Sequence, residues 1–294
     1  MLTRRAFAGT LAALPLAARA QAEPMPVPLP VIASFSILAD FAVRVGGARV
    51  SVASLAGPDA DMHAFEPAPA DGARLKAARV VVVNGLGLEG WLDRFVKASG
   101  SRAAIVTASR DVKPRREEAA LDPHAWLSAA NARLYVAAIR DGFTGADPDG
   151  RTAYEESARA YLAELDALDA ELRATLGAIP PARRKIVSTH DAFGYFADAY
   201  GLRFIAPRGL APEAEVAAKD VAKIVRQIRA DKAPAVFLEN VSDPRLMETI
   251  ARETGAKIGG KLYSDALSPP GGAAPDYVSL MRHNAKTLTA ALAG

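Results

Sequence analysis

Three histidines and one aspartate hold equivalent places in the sequence, each in a loop just after a stretch that reads as a β-strand. His63 follows the apolar run 50–55, in Asp61-Met62-His63-Ala64-Phe65-Glu66-Pro67. His124 follows 103–107, in Asp122-Pro123-His124-Ala125-Trp126, and His190 directly follows 185–189. Asp265 follows 257–262, in Ser264-Asp265-Ala266-Leu267-Ser268. In open parallel sheets ligands bind beyond the carboxyl ends of the strands, so four such side chains can converge in one cleft. Three neutral imidazoles and one carboxylate form a tetrahedral-capable donor set that suits Zn²⁺. Calcium or magnesium would call for more oxygen donors. The pattern leaves a second reading open, in which these are unrelated loop residues, because no His-x₃-His or Cys-x₂-Cys pair is present. The fourth histidine, His283, lies beside Arg282 and Asn284 in the last predicted helix and reads as structural or surface.

Other stretches offer weaker chemistry. Gly85-Leu86-Gly87-Leu88-Glu89-Gly90 has the spacing of a phosphate loop but no acidic partner strand at the right distance, and reads as a strand-to-helix turn. Ser188, His190 and Asp191 crowd one loop, yet there is no Gly-x-Ser-x-Gly elbow, and neighbours in one loop rarely form a triad. Arg115-Arg116-Glu117-Glu118 reads as a solvated loop. Trp126 is expected to pack beneath its histidine, since an indole nitrogen has no free lone pair to give a metal.

The elements that must position these residues are legible from periodicity. Residues 147–179 carry apolar side chains at Tyr154, Ala158, Tyr161, Leu165, Leu168, Leu172, Leu176 and Ile179, the three-and-four spacing of one helix face. Gly177 and Pro180-Pro181 end it. Roughly thirty residues at ~1.5 Å each make a rod of about 45 Å. Such a rod is either a surface helix on one core or a backbone helix between two lobes. Before it, strands are predicted at 31–35, 50–55, 80–83 and 103–107, with helices at 36–45, 70–78, 89–98 and 128–143. After it, strands are predicted at 185–189, 203–205, 235–239 and 257–262, with helices at 192–200, 213–230, 244–254 and 277–292. Four consecutive valines at 80–83 suit a strand covered on both faces. The alternation predicts an α/β fold of two parallel-sheet (β/α)4-type lobes joined by a long rigid backbone helix. The expected divisions are an export signal at 1–22, an N-terminal lobe at 23–146, the connecting helix at 147–179 and a C-terminal lobe at 180–294.

The opening residues read as that signal. Arg4 and Arg5 precede the apolar run 6–18, and Ala18-Arg19-Ala20 and Ala20-Gln21-Ala22 offer small-residue cleavage sites. Thr3-Arg4-Arg5-Ala6-Phe7 resembles a twin-arginine signal. No other apolar run nears the ~20 residues of a membrane span. The chain has no cysteine, which excludes disulfides, thiolate metal sites and a lipid-bearing cysteine. Of its 36 basic side chains, Arg4, Arg5 and Arg19 lie in the signal, so the remainder balances the 33 acidic ones. A balanced chain offers no electrostatic footprint for nucleic acid.

Taken together, these motifs resemble the zinc/manganese solute-binding proteins of ABC importers, the ZnuA/TroA-like family of cluster A-I. Asp61-x-His63-x-x-Glu66-Pro67-x-Pro69-x-Asp71 is similar to its first ligand motif and Asp122-Pro123-His124-Ala125-Trp126-Leu127-Ser128 to its second. Ser188-Thr189-His190-Asp191-Ala192-Phe193-Gly194-Tyr195-Phe196 is similar to its third, and Tyr263-Ser264-Asp265-Ala266-Leu267 to its fourth. Gly209-Leu210-Ala211-Pro212-Glu213-Ala214-Glu215 and Val236-Phe237-Leu238-Glu239-Asn240 are also family-like. The resemblance implies one metal ion held between the lobes by His63, His124, His190 and Asp265. It implies a monomeric periplasmic receptor, not an enzyme, that passes Zn²⁺ to an inner-membrane ABC permease. Histidine at position 190 looks zinc-like, because members with glutamate there are usually read as manganese or iron binders; Mn²⁺ or Fe²⁺ is the alternative cargo. Many zinc members carry a long His/Asp-rich loop before the second motif, whereas residues 109–121 here contain no histidine. Release is expected as imidazoles protonate near pH ~6. The competing class is a secreted zinc hydrolase with an open water position. Asp265 would close that position, and no spare general base is evident. An adhesin finds no separate support.

Protein recovered from the periplasm is expected to begin at Gln21 or Glu23. Intact-mass measurement checks this, and an unprocessed cytosolic chain would contradict it.

Overall fold

The computed structural model describes residues 27–117, 119–212, 217–231 and 233–293. The expected signal at 1–22 lies outside them, as do Glu118 and the motif residues Glu213, Ala214 and Glu215. Strands β1 (Leu29–Phe35), β2 (Val50–Ala56), β3 (Val80–Val83) and β4 (Ala104–Thr107) form an all-parallel sheet in the order β2-β1-β3-β4. Helices α1 (Ser36–Gly46), α2 (Pro69–Ala77) and α3 (Leu92–Ser99) connect them. A short antiparallel hairpin, β5 (Arg116–Glu117) and β6 (Ala120–Leu121), precedes α4 (Ala129–Ala146) and the long α5 (Arg151–Gly177). A second parallel sheet follows. It contains β7 (Lys185–Val187), β8 (Arg203–Ile205), β9 (Ala235–Glu239) and β10 (Lys257–Leu262), with α6 (Gly194–Tyr200), α7 (Ala218–Asp231), α8 (Arg245–Thr254) and α9 (Tyr277–Leu292). Its order, β10-β9-β7-β8, is that of the first sheet: second strand, first, third, fourth.

The valine run behaves as its composition requires. Val80 and Val82 of β3 enter the main apolar cluster, while Val81 and Val83 face a second cluster with Leu75 and Leu92. A strand alternates its faces, so it reads as continuously apolar only when both are covered. In α5 the buried residues are Tyr154, Ala158, Tyr161, Leu165, Leu168, Leu172 and Leu176, the stripe read from the sequence. That stripe packs against α1, α4, α6 and α9. The helix joins two separate sheets, yet one apolar cluster runs from Leu29 through the α5 stripe to Leu292. Close-packed interiors transmit displacement and resist it, so the two lobes share a mechanical spine.

Some boundaries move for local reasons. β7 stops at Val187 because the amides of Thr189 and His190 turn to the Glu239 carboxylate, at 2.7 and 3.1 Å. α3 starts at Leu92 rather than at 89 because Glu89 folds back into the glycine turn. Its carboxylate accepts the amides of Asn84 (2.6 Å) and Gly85 (3.0 Å) and the Ser34 hydroxyl (2.7 Å). The phosphate-like seat is therefore filled by the protein's own anion. Gly85 has φ +83° and an added Cβ would lie 2.6 Å from Thr107 Cγ2, so glycine is required there. Arg115, expected in a solvated loop, instead pairs with the buried Asp122 at 3.2 Å. Among the described residues no helix is long and apolar enough to cross a membrane.

Asp40 on α1 accepts the Tyr277 amide at the start of α9 (3.1 Å), joining the lobes. Burial raises its pKa from 3.8 to about 6, against the lowering effect of the Tyr277 amide and Arg44. Between about pH 4 and 6 the native state keeps a proton that the unfolded chain has lost, so this group's contribution to stability falls as pH rises. Asp40→Asn keeps an oxygen for Tyr277 and has no such proton. In urea melts the variant should gain on wild type by on the order of 2 kcal/mol between pH 4 and 7. A difference that does not change with pH would remove Asp40 as the cause.

Candidate metal centre

Four loops at strand carboxyl ends bring His63, His124, His190 and Asp265 together, with one potential ligand atom from each lying within 4.8 Å of the others. Nε2 of His63 is 3.1 Å from Nε2 of His124, and Nε2 of His190 is 3.2 Å from Asp265 Oδ2. Asp265 Oδ1 is 3.4 Å from His124 Nε2. The side chains of His124, His190 and Asp265 have no solvent exposure, and that of His63 is 12 % exposed. Nε2 of His190 and Oδ1 of Asp265 are buried without a well-aligned hydrogen bond. Buried polar atoms whose bonding capacity is not fully met are costly, and these belong to a close-set donor group that a divalent transition metal would satisfy. His283 stands apart, bonding the Lys261 carbonyl (2.9 Å) and packing edge-on against Tyr263.

Local sequence explains each placement. Asp61 Oδ1 accepts the His63 amide at 2.8 Å and Asp122 Oδ1 accepts the His124 amide at 3.0 Å. The repeated Asp-x-His thus forms the same side-chain-capped turn twice. Asp122 also contacts Nδ1 of His124 at 2.8 Å, so that Nε2 points inward. Glu239, the last residue of β9, does the same for His190. Its Oε2 lies 2.5 Å from Nδ1 and also accepts the Ser264 hydroxyl at 3.1 Å. Carboxylates behind imidazoles fix the ring and raise its basicity as a ligand. Trp126 packs 5.3 Å from the His124 ring and donates its indole N–H to the Ser264 carbonyl (2.8 Å), the supporting place expected for it.

The electrostatics divide the cluster: burial keeps His63 neutral, Asp265 stays anionic, and two carboxylates draw His190 towards its charged form. Burial and the neighbouring His124 and His190 lower the His63 pKa to about 4, against the pull of Asp265. Burial would raise Asp265, but His190 and His124 hold it well below the ordinary carboxylate range. Burial would lower His190, but Glu239 and Asp265 override it and raise it well above 6.5. Arg115 lies 3.2 Å from Asp122 and 3.4 Å from Asp198 of α6, and an added Cβ on Gly194 would strike its guanidinium. Ser188 donates its hydroxyl to the His190 carbonyl (3.1 Å), not to the ring, so the loop contains no Ser–His dyad.

Sequence reasoning missed the supporting roles of Asp122, Glu239 and Arg115. The repeated Asp-x-His was a readable signal for Asp122. Glu239 lies in the family-like stretch 236–240, but nothing in its spacing shows that it stands behind His190.

A family model described as zinc-uptake complex component A, periplasmic, matches residues 31–291. The manganese-binding lipoprotein MntA of Halalkalibacterium halodurans is 35 % identical over 265 residues, covering 90 % of this chain and 88 % of that protein. The iron-binding protein YfeA of Yersinia pestis is 33 % identical over 262 residues, covering 88 % and 84 %. The solved periplasmic zinc-binding protein TroA of Treponema pallidum superposes with a TM-score of 0.86 at 28 % identity, covering 91 % of this chain and all of that one.

Glu239→Gln keeps an oxygen for the Thr189 and His190 amides but loses the charge behind the imidazole. Metal affinity should fall about 10–100-fold, with the metal-free melting temperature little changed. Chelator competition measures the first and thermal unfolding the second; unchanged affinity would leave Glu239 a purely structural residue.

Proposed function

The chain belongs to the family of metal-binding components of ABC importers, and from that premise we propose that it is a periplasmic receptor for Zn²⁺. Its family is one of solute-binding proteins, so it binds and releases and makes no covalent bond. His63, His124, His190 and Asp265 are the ligands in this reading. The metal lies between an N-terminal lobe at 23–146 and a C-terminal lobe at 180–294, and passes to an inner-membrane ABC permease. The single observation that carries the reading is the convergence of four ligand atoms within 4.8 Å in a buried pocket. Three imidazoles and one carboxylate are the donors zinc takes in four-coordinate sites. Mn²⁺ or Fe²⁺ is the second reading, favoured by the names of the MntA and YfeA relatives. Intrinsic affinity ranks zinc above both, so cargo in the cell also depends on supply.

Elemental analysis of periplasmic protein, followed by competition titration with Zn²⁺ and Mn²⁺, tests the cargo. Alanine at His63, His124 or His190 should weaken zinc at least ~10–100-fold, the range lost when only a supporting partner is removed. Asp265→Ala removes the only anionic ligand and should also weaken binding, by less where water takes its place. His283→Ala should bind as wild type. Metal should raise the melting temperature of wild type and of His283→Ala, and less in the ligand variants. Wild-type affinity in His190→Ala would overturn the site and the preference for zinc.

A further inference from the structure

Asp265 belongs by chain to the second sheet, but its loop is bonded to the first. The Ser264 carbonyl accepts the Trp126 indole N–H at 2.8 Å. The Leu267 amide donates to the Ser36 hydroxyl, at the end of β1, at 3.0 Å. The Leu267 carbonyl accepts the amide of Asp59, in the His63 loop, at 2.9 Å. These three bonds bracket Asp265 on both sides, and all come from the opposite lobe. From its own lobe the loop has Glu239, whose carboxylate accepts the Ser264 hydroxyl at 3.1 Å, and Asn240, whose side chain accepts the Ser264 amide at 3.4 Å and donates to the Ala266 carbonyl at 3.2 Å. The same Asn240 amide group also reaches Asp59 Oδ1 at 3.0 Å, so this support is itself tied across the cleft. The backbone of Asp59 is left-handed, φ +54°, and it turns the His63 loop towards Leu267.

We infer that Ser36 and Trp126 are positioning residues for Asp265, holding the one anionic candidate ligand in place from the opposite lobe. The four side chains then divide by support rather than by chain order. His63 and His124 rest on the first lobe, His190 rests on Glu239 of the second, and the Asp265 loop is held from both. A lost hydrogen bond displaces the 264–267 backbone, and with it the carboxylate that must meet three imidazoles at fixed distances.

This inference rests on the metal-site reading, and a double-mutant cycle separates the two. Ser36→Ala, Ser36→Thr and Trp126→Phe are made alone and in the Asp265→Ala background, and zinc affinity is measured by chelator competition. Ser36→Ala and Trp126→Phe should each weaken zinc about tenfold in wild type, and Ser36→Thr, which keeps the hydroxyl, should restore it. In the Asp265→Ala background the same changes should have no further effect. Trp126 also packs on His124, so a tenfold loss that persists without Asp265 would assign it to His124 and overturn the inference. So would wild-type affinity in both single variants. Wild-type affinity in Asp265→Ala itself would overturn the metal site instead. The absorption of bound Co²⁺ reports coordination directly and should shift in Trp126→Phe but not in Trp126→Phe/Asp265→Ala relative to Asp265→Ala.

Discussion

Everything in this fold answers to one electrostatic difficulty. Lone pairs of three imidazoles and a carboxylate are aimed at a common point in a pocket from which water is nearly excluded. Burial penalises polar atoms whose bonding capacity is not met, so these groups must be held in place. They stay because each is gripped from behind. Asp61 and Asp122 cap the His63 and His124 turns, Glu239 holds the amide and ring of His190, and the Asp265 loop is bonded on both flanks. The interior is preorganised for a cation, and the cost of that arrangement is carried by the surrounding hydrogen bonds.

The charge count follows the same logic. Asp122 is matched by Arg115, whose guanidinium reaches it from the hairpin. Among the described residues, Asp265 and Glu239 contact only imidazoles, amides and a hydroxyl. Asp265 in the pocket and Glu239 behind His190 have no Arg or Lys partner among the described residues, and in the proposed reading a divalent ion completes their balance. The small ligand also explains the stiff frame. A sugar must be enclosed, whereas an ion needs only that four atoms keep their distances. A continuous core through α5 serves that need better than a free hinge.

Much of this was legible in the residues, because periodicity and loop chemistry are local. The α5 stripe, the all-buried valine strand and the four loops of the candidate ligands each advertise themselves within a dozen positions. What escaped was non-local. Glu239 reads as a strand end until β7 and β10 lie beside it. Arg115 reads as solvated until Gly194 leaves room for it and Asp122 is found behind it. Glu89 reads as a helix start until its carboxylate is seen filling the glycine turn. In each case a charged side chain departs from its usual exposure to satisfy a partner distant in sequence. The choice between one core and two lobes was likewise not a real alternative: the sheets are two and the apolar cluster through α5 is one.

The repeated strand order sharpens this point. Both sheets run second, first, third, fourth, so equivalent positions exist in each lobe. The candidate ligands do not occupy equivalent positions. In the first lobe they follow the second and fourth strands, and in the other the first and fourth. The vacant equivalent in the first lobe, at the end of β1, holds Ser36, whose hydroxyl accepts the Leu267 amide and steadies the Asp265 loop. At the corresponding end of β7 stands His190 itself. One strand end supplies a ligand and its counterpart supplies a grip on another ligand. In the proposed reading the asymmetry has a physical reason: four ligands already complete the shell of one small ion, and the freed position serves to lock the lobes together.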